Sequence, residues 1–321
     1  MEKNSYSSAD IDIPVKLLHD RELVDGILEH KRILLRHLQL SVTNKCNLTC
    51  TYCSCRDKDK SLVLSLERIL YILQQAKQVG CRAITITGGG EPLLHPDIND
   101  IIKECKRLDI SVGLVTNGIA ISKLEEGVRW CRISFDSDRS FSSKYIKGIE
   151  AAIEKFPDTD WAFSFVATNE GRKNNFGDLK KVVQFANAKD FTHIRVVADI
   201  LHPNKKIIKH TRRILRGIDE KVVYQDRTKP TRGQKKCWIS LLKPVIGTDG
   251  KIYPCCGVQY AIKNTKNDFI SRMSMGDGEN LENINQQQEC FNGSVCDICY
   301  YQGYNRLLSL LLQDLEHKEW V

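Results

Sequence analysis

The decapeptide CNLTCTYCSC, residues 46–55, sets four thiols within ten positions of a 321-residue chain that holds thirteen cysteines in all. Thiols this crowded serve a disulfide framework, a zinc site or an iron–sulfur cluster. Zinc sites take four ligands from paired C-x2-C or Cys/His units, whereas Cys46-x3-Cys50-x2-Cys53 offers three cysteines and no paired histidine. Three thiolates suit a [4Fe–4S] cluster with one iron left open to a substrate or cofactor. Cys55 stands outside this spacing and reads as a buried or incidental thiol. The opening residues MEKNSYSSADIDIP are polar and lack the apolar core of a secretory signal, so a reducing, cytoplasmic setting is expected. There, cysteines are metal ligands, catalytic groups or buried thiols rather than disulfides.

Two further patterns bear on chemistry. The run ITGGGEP, residues 86–92, lines up Gly88, Gly89, Gly90 and Glu91, where glycines let backbone approach a ligand closely. Near the other end, Cys237-x12-Gly250-x4-Cys255 precedes Cys296-x2-Cys299, with Cys256 and Cys290 nearby. Four cysteines in two groups, taken by themselves, suit zinc. Cys81, Cys105 and Cys131 sit in apolar contexts and read as core residues, and His95 reads as a loop cap before a helix.

The elements that must hold these groups follow a β-then-α rhythm. Strands are expected at 37–43, 83–88, 111–118, 129–136, 162–168 and 193–200, and helices at 65–80, 96–108, 142–155, 177–188 and 205–216. Alternating strands and helices imply parallel pairing through right-handed crossovers. Six units are visible where a closed barrel of this type needs eight, so the expectation is an α/β fold with an incomplete, open-sided (βα)6 barrel. The cysteine loop then follows the first strand, at the end of the barrel where active sites assemble.

The chain divides into an N-terminal segment 1–36, a (βα)6 core 37–216, a basic linker 217–236, a cysteine-rich module 237–303 and a C-terminal helix 304–321. The module holds too little apolar sequence for an ordinary core and is expected to fold around a metal centre, with TDGKIYPC, residues 248–255, as a hairpin turning at Asp249-Gly250. With 41% hydrophobic and 27% charged residues the composition is that of a globular protein, and no segment approaches the ~20 apolar residues of a spanning helix, so no membrane partner is expected. The formal charge of +8, concentrated in 202–216 and 227–236, reads as solvated surface; nucleic acid is a low-weight partner.

Cys46-x3-Cys50-x2-Cys53, with Tyr52 before the third cysteine and the Gly-Gly-Glu stretch one βα unit on, resembles the signature of radical S-adenosylmethionine (SAM) enzymes across residues 37–216. The resemblance implies that Cys46, Cys50 and Cys53 hold a SAM-binding [4Fe–4S] cluster and that Gly89, Gly90 and Glu91 meet the methionine end of SAM. It also implies that Ser134, Asp136 and Asn117, ending later strands, reach its ribose and carboxylate. SAM is then cleaved reductively to a 5′-deoxyadenosyl radical that abstracts hydrogen from substrate, with electrons from a partner such as flavodoxin or ferredoxin.

The second set resembles the opening of the SPASM and Twitch extensions found behind such barrels. That implies a second, auxiliary [4Fe–4S] cluster on Cys237, Cys255, Cys296 and Cys299. YYQGYNRLLS, residues 300–309, lacks further cysteines, which points to the shorter Twitch form with one auxiliary cluster. Cys256 and Cys290 remain as candidate catalytic thiols that return hydrogen to a substrate radical. The expected substrate is a small polar molecule, a sugar, aminocyclitol or nucleoside, handled by a dehydrogenase, epimerase or lyase resembling queuosine lyase. A peptide-modifying enzyme and a non-catalytic iron–sulfur scaffold are the alternatives.

Overall fold

The alternation of β-branched strands with amphipathic helices becomes, in the computed structural model, one ten-stranded sheet. Residues 14–135, 142–168, 175–177, 179–226, 231–259, 273–314 and 316 are described. Strands β1 (His37–Ser41), β2 (Ala83–Thr87), β3 (Ser111–Thr116), β4 (Trp130–Phe135), β5 (Asp160–Ala167), β6 (His193–Ala198) and β7 (Val222–Gln225) lie side by side in chain order, all parallel. Stepping always in one direction, right-handed crossovers place every helix on the same face and leave the other face as the concave side of a partial barrel. The crossover helices are α3 (Leu66–Gln78), α4 (Ile98–Arg107), α5 (Ser143–Lys155), α6 (Leu179–Ala188) and α7 (Ile207–Ile214), after the short α1 (Val15–Leu18) and α2 (Arg21–His30).

Periodicity explains the packing. In α3, Ile69, Ile72, Leu73 and Ala76 fall on one face and are buried, and Ser65 caps the helix by accepting from the Arg68 amide. In the strands the apolar positions alternate: Leu38, Leu40, Ile84, Ile86, Leu114, Ile133, Phe163 and Ile194 are buried beneath the helices. Phe163 anchors a ring cluster, stacked on Phe191 at 4.7 Å and edge-on to Phe135 at 6.2 Å.

Two departures from expectation concern the edges. Residues 217–236, read as a linker, contain β7, which pairs with β6 through Ile194↔Val222. Only four residues long, this strand carries too weak a periodic signal to stand out. The cysteine-rich stretch does not stand apart from the sheet either. β8 (Val245–Ile246) pairs parallel with β1, and β9 (Lys251–Tyr253) and β10 (Gly276–Asp277) continue antiparallel from it. The short helices α8 (Ile239–Leu242) and α9 (Leu281–Gln287) flank these strands, and α9 packs on α3. The C-terminal helix, expected over 304–321, is α10 (Gln302–Leu311), and its buried Asn305 accepts from the Ile239 amide at 2.9 Å.

The β8–β9 turn is locked from α3. Arg68 meets Asp277 at 2.8 Å and Glu279 at 2.6 Å, and its guanidinium lies so close to Gly250 that an added Cβ would meet Cζ at 2.2 Å. Gly250 also has φ +77°, a conformation that a side chain disfavours. Gly250→Ala is therefore expected to lower stability by at least about 1 kcal/mol. Urea unfolding checks this, and an unchanged midpoint would show that the lock carries no energy.

Candidate metal and cofactor centres

The cysteine loop leaves β1 and is closed at its base. The Asn44 amide donates to the Leu62 carbonyl at 2.9 Å and the Leu64 amide to Val42 at 3.0 Å, so residues 45–61 project as one loop beyond the strand end. Cys46, Cys50 and Cys53 stand on it half-buried, and the Cys53 amide turns back to the Cys50 carbonyl at 3.1 Å. Tyr52 is half-buried between them. The Cys55 amide donates to Cys53 Sγ at 3.4 Å, an orientation that stabilises sulfur carrying negative charge. A hydrogen bond with Cys53 draws the buried Cys55 thiol down to about 6, assisted by Lys58, and holds the Cys53 thiol up.

Three ties fasten this loop to its neighbours. Gly90 donates to Thr43 at 2.9 Å and the Glu91 amide to Lys45 at 2.7 Å; a Cβ on Gly89 would meet Asn44 Oδ1 at 1.7 Å and one on Gly90 the Lys45 carbonyl at 2.0 Å. Gly90 is thus needed for backbone to lie against backbone, and Gly89 for backbone to lie against the Asn44 side chain. On the far side Asn117 donates to Asn47 Oδ1 at 2.7 Å. Glu91 is the hub: buried, its carboxylate accepts from the Leu93 amide at 3.1 Å, Thr116 Oγ1 at 2.6 Å and the Asn117 amide at 2.6 Å. Glu91→Ala would leave three buried donors unmet and is expected to cost about 3 kcal/mol or more. A thermal melt checks it; a melting point matching the parent would mean that the hub is dispensable.

Ser134 stands half-buried on β4, opposite Ser164 of β5, while Asp136 lies outside the described residues. His95 is buried with Nε2 2.8 Å from the Leu64 carbonyl and Nδ1 accepting from the Asp97 amide at 3.1 Å, which is the loop-capping role expected of it. Asn47 and Thr116 were not singled out from sequence. Asn47 lies inside the cysteine motif, and that position was the available signal.

Around the short strands β8–β10, which adjoin β1 in the sheet, Cys237, Cys255, Cys296 and Cys299 line one pocket together with Pro254 and Tyr301. Loops around Gly233 and Gly293, 60 positions apart in the chain, are brought together by close glycine contacts. A Cβ on Gly233 would meet the Gly293 carbonyl at 2.0 Å, and the Gly233 amide donates to Cys296 at 2.8 Å. Burial pushes the Cys237 thiol up to about 12, with Cys299 and Cys296 adding to it, and pushes Cys296 up to about 11, with Cys299 adding. Burial likewise raises Cys255, followed by its neighbours Cys256 and Cys237. Four thiolates crowded in such a pocket repel one another, so a cationic iron group is what the donor set fits. Among the described residues no three Cys, His, Asp or Glu side chains converge on a single-ion position. A four-iron cluster spreads its thiolates wider than one ion does. Cys256 and Cys290 are not among the lining residues: Cys256 Sγ sits 3.1 Å from Tyr301 Oη, and burial raises the Cys290 thiol.

The sequence profile of the Radical SAM superfamily matches residues 40–193. A probable GTP 3′,8-cyclase of Archaeoglobus fulgidus is 34% identical over 142 residues, 39% of this chain and 47% of that protein. Molybdenum cofactor biosynthesis protein 1 of Homo sapiens is 33% identical over 139 residues, 37% of this chain and 22% of its own length. These matches therefore span about half or less of the curated relatives. GTP 3′,8-cyclase of Pseudomonas fluorescens is 28% identical over 69% of this chain and 71% of its own. In fold, the chain is similar to Streptococcus suis SuiB bound to precursor peptide SuiA, with a TM-score of 0.57 and 16% identity over 92% of this chain and 78% of SuiB. It is also similar to anSMEcpe with bound AdoMet and Cp18Cys peptide, with a TM-score of 0.51 and 16% identity over 89% of this chain and 85% of that one. No helix among the described residues is long and apolar enough to cross a membrane.

Proposed function

The chain belongs to the radical SAM superfamily and is an enzyme that uses SAM and a [4Fe–4S] cluster, and on that footing we propose that it acts on a small polar substrate with the help of a second, cysteine-held cluster. The observation that carries the second part is the convergence of Cys237, Cys255, Cys296 and Cys299 on one pocket. When bound, SAM with its cluster supplies a radical that removes hydrogen from carbon, and a fully thiolate-ligated cluster supplies a one-electron acceptor or donor.

The residues of the chain bind, orient and shield. Cys46, Cys50 and Cys53 hold the first cluster on the loop after β1. The backbone of Gly89 and Gly90, pressed against residues 43–45, presents its polar groups beside that loop. The Glu91 carboxylate is engaged with Leu93, Thr116 and Asn117, so its part is to fix the ends of β2 and β3 relative to the cysteines. Asn117 joins this framework to Asn47, and Ser134 offers a hydroxyl at the end of β4. Asp136 stays a candidate for the ribose. The thiols of Cys256 and Cys290, outside the four-cysteine set, are candidates for hydrogen return in a redox-neutral reaction. Four cysteine ligands leave no open iron at the second site, which favours electron transfer there and a net dehydrogenation.

Among small polar molecules, nucleosides and nucleotides come first, because relatives at 28–34% identity are named GTP 3′,8-cyclases. A peptide substrate is the second reading; the solved structures of similar fold contain peptides, at an identity that speaks for fold alone. Candidate substrates are to be added to the anaerobically reconstituted enzyme with SAM and a reductant. The small-molecule reading predicts that a nucleoside or nucleotide raises 5′-deoxyadenosine formation and is recovered changed in mass. Stimulation by peptides alone would reverse the order.

A further inference from the structure

Among the described residues of strands β1–β7 the concave face carries two arginines, and the buried Asp199 just past β6 is engaged with His202 at 2.9 Å. Asp160, at the start of β5, is the one acidic residue within strands β1–β7, and it faces Arg129 at 3.4 Å. Arg132 of β4 and Arg195 of β6 stand at alternate positions to the helix-facing Cys131, Ile133, Ile194 and Val196 and so project to the concave side. Ser164 of the intervening β5 is paired in register with Arg195, while Arg132 is level with Ala162 and His193, two residues nearer the strand starts. Arg195 donates to Ser164 Oγ from Nε at 3.2 Å and from Nη2 at 3.0 Å, and Arg132 rests over the Trp130 ring at 5.4 Å. His193 shares this face; burial first, then the charges of Arg132 and Arg195, hold its ring neutral, with its pKa lowered to about 3.

We propose that Arg132 and Arg195, with Ser164 of the strand between them, bind a phosphoryl group of the substrate, which is then a phosphorylated small molecule rather than a neutral sugar or aminocyclitol. This rests on the reading of a small polar substrate held on the concave face. Strands β4 and β6 are two sheet spacings apart, about 9.5 Å. Two long guanidinium side chains from that separation can close on the several oxygens of a mono- or polyphosphate, whereas a single carboxylate fills only one fork. The partly buried setting strengthens each contact relative to water.

Isothermal titration of the cluster-reconstituted enzyme tests this with a nucleoside, its 5′-monophosphate, its 5′-triphosphate and tripolyphosphate alone. The phosphorylated compounds are expected to bind more tightly than the nucleoside, and more weakly as salt rises. Arg132→Gln and Arg195→Gln should each weaken them by roughly tenfold to a hundredfold. Arg195→Lys, which keeps the charge and loses the fork, should fall between, and Arg129→Gln should match the parent. Equal affinity for nucleoside and phosphates would overturn the proposal, as would variants that weaken SAM and spare the phosphates, since the pair would then serve the SAM carboxylate. Slow SAM cleavage measured without substrate keeps the two levels separate. If cleavage persists while no phosphate binds, the phosphate site is refuted and the radical reading stands; phosphate binding without cleavage refutes the radical reading alone.

Discussion

Cys50→Ala is expected to lose about half of the bound iron and to reduce 5′-deoxyadenosine formation to the level of a protein-free control. The reason is local. Cys46, Cys50 and Cys53 share one loop whose base is pinned by Leu62 and Leu64 and whose flank is pressed on Gly89 and Gly90. Nothing in that loop offers a replacement thiol at the position of Cys50, because Cys55 is turned inward, with its Sγ 3.7 Å from the Gly88 carbonyl. Since the open iron exists only in an assembled cluster, a lost ligand removes SAM chelation and electron delivery together. Iron counting and mass spectrometry on the reconstituted variant check this, and persistent 5′-deoxyadenosine would place the active cluster elsewhere.

Cys299→Ala should give the complementary pattern. It is expected to lose the other half of the iron, keep 5′-deoxyadenosine formation in the absence of substrate, and lose substrate turnover. It should also melt earlier. Cys299 is stitched to Thr231 through its amide at 2.7 Å and its carbonyl at 2.6 Å, and the strands β8–β10 around the pocket are only two or three residues long. Such a segment takes much of its folding energy from the metal. Iron per chain, substrate-free 5′-deoxyadenosine and a thermal melt are the readouts. Iron content equal to the parent would mean that Cys290 or Cys256 is the ligand in place of Cys299.

The parts of the fold with long, regular periods were legible in the sequence. Helix α3 spans 66–78 where 65–80 is expected, and α4 spans 98–107 where 96–108 is expected, because each presents one apolar face to the sheet. Strand β7 and the edge pairing of β8 were not, since four residues and two residues carry no period of their own and gain their place only from β6 and β1. In the site, the cysteines and glycines were legible because their spacing reflects backbone geometry. The hub formed by Glu91 with Thr116 and Asn117 was not, since it depends on which strand ends the sheet makes adjacent. The pair of Arg132 and Arg195 escaped for the same reason: 63 positions apart in the chain, they come to the two sides of β5 only once β4, β5 and β6 are aligned.

The most direct measurement is mass spectrometry for 5′-deoxyadenosine after anaerobic reconstitution, with dithionite and SAM added to the whole chain and iron and sulfide counted on the same sample. The expected result is iron for two four-iron clusters per chain and formation of 5′-deoxyadenosine. Two clusters with SAM left intact would contradict the account and make the chain an iron–sulfur scaffold.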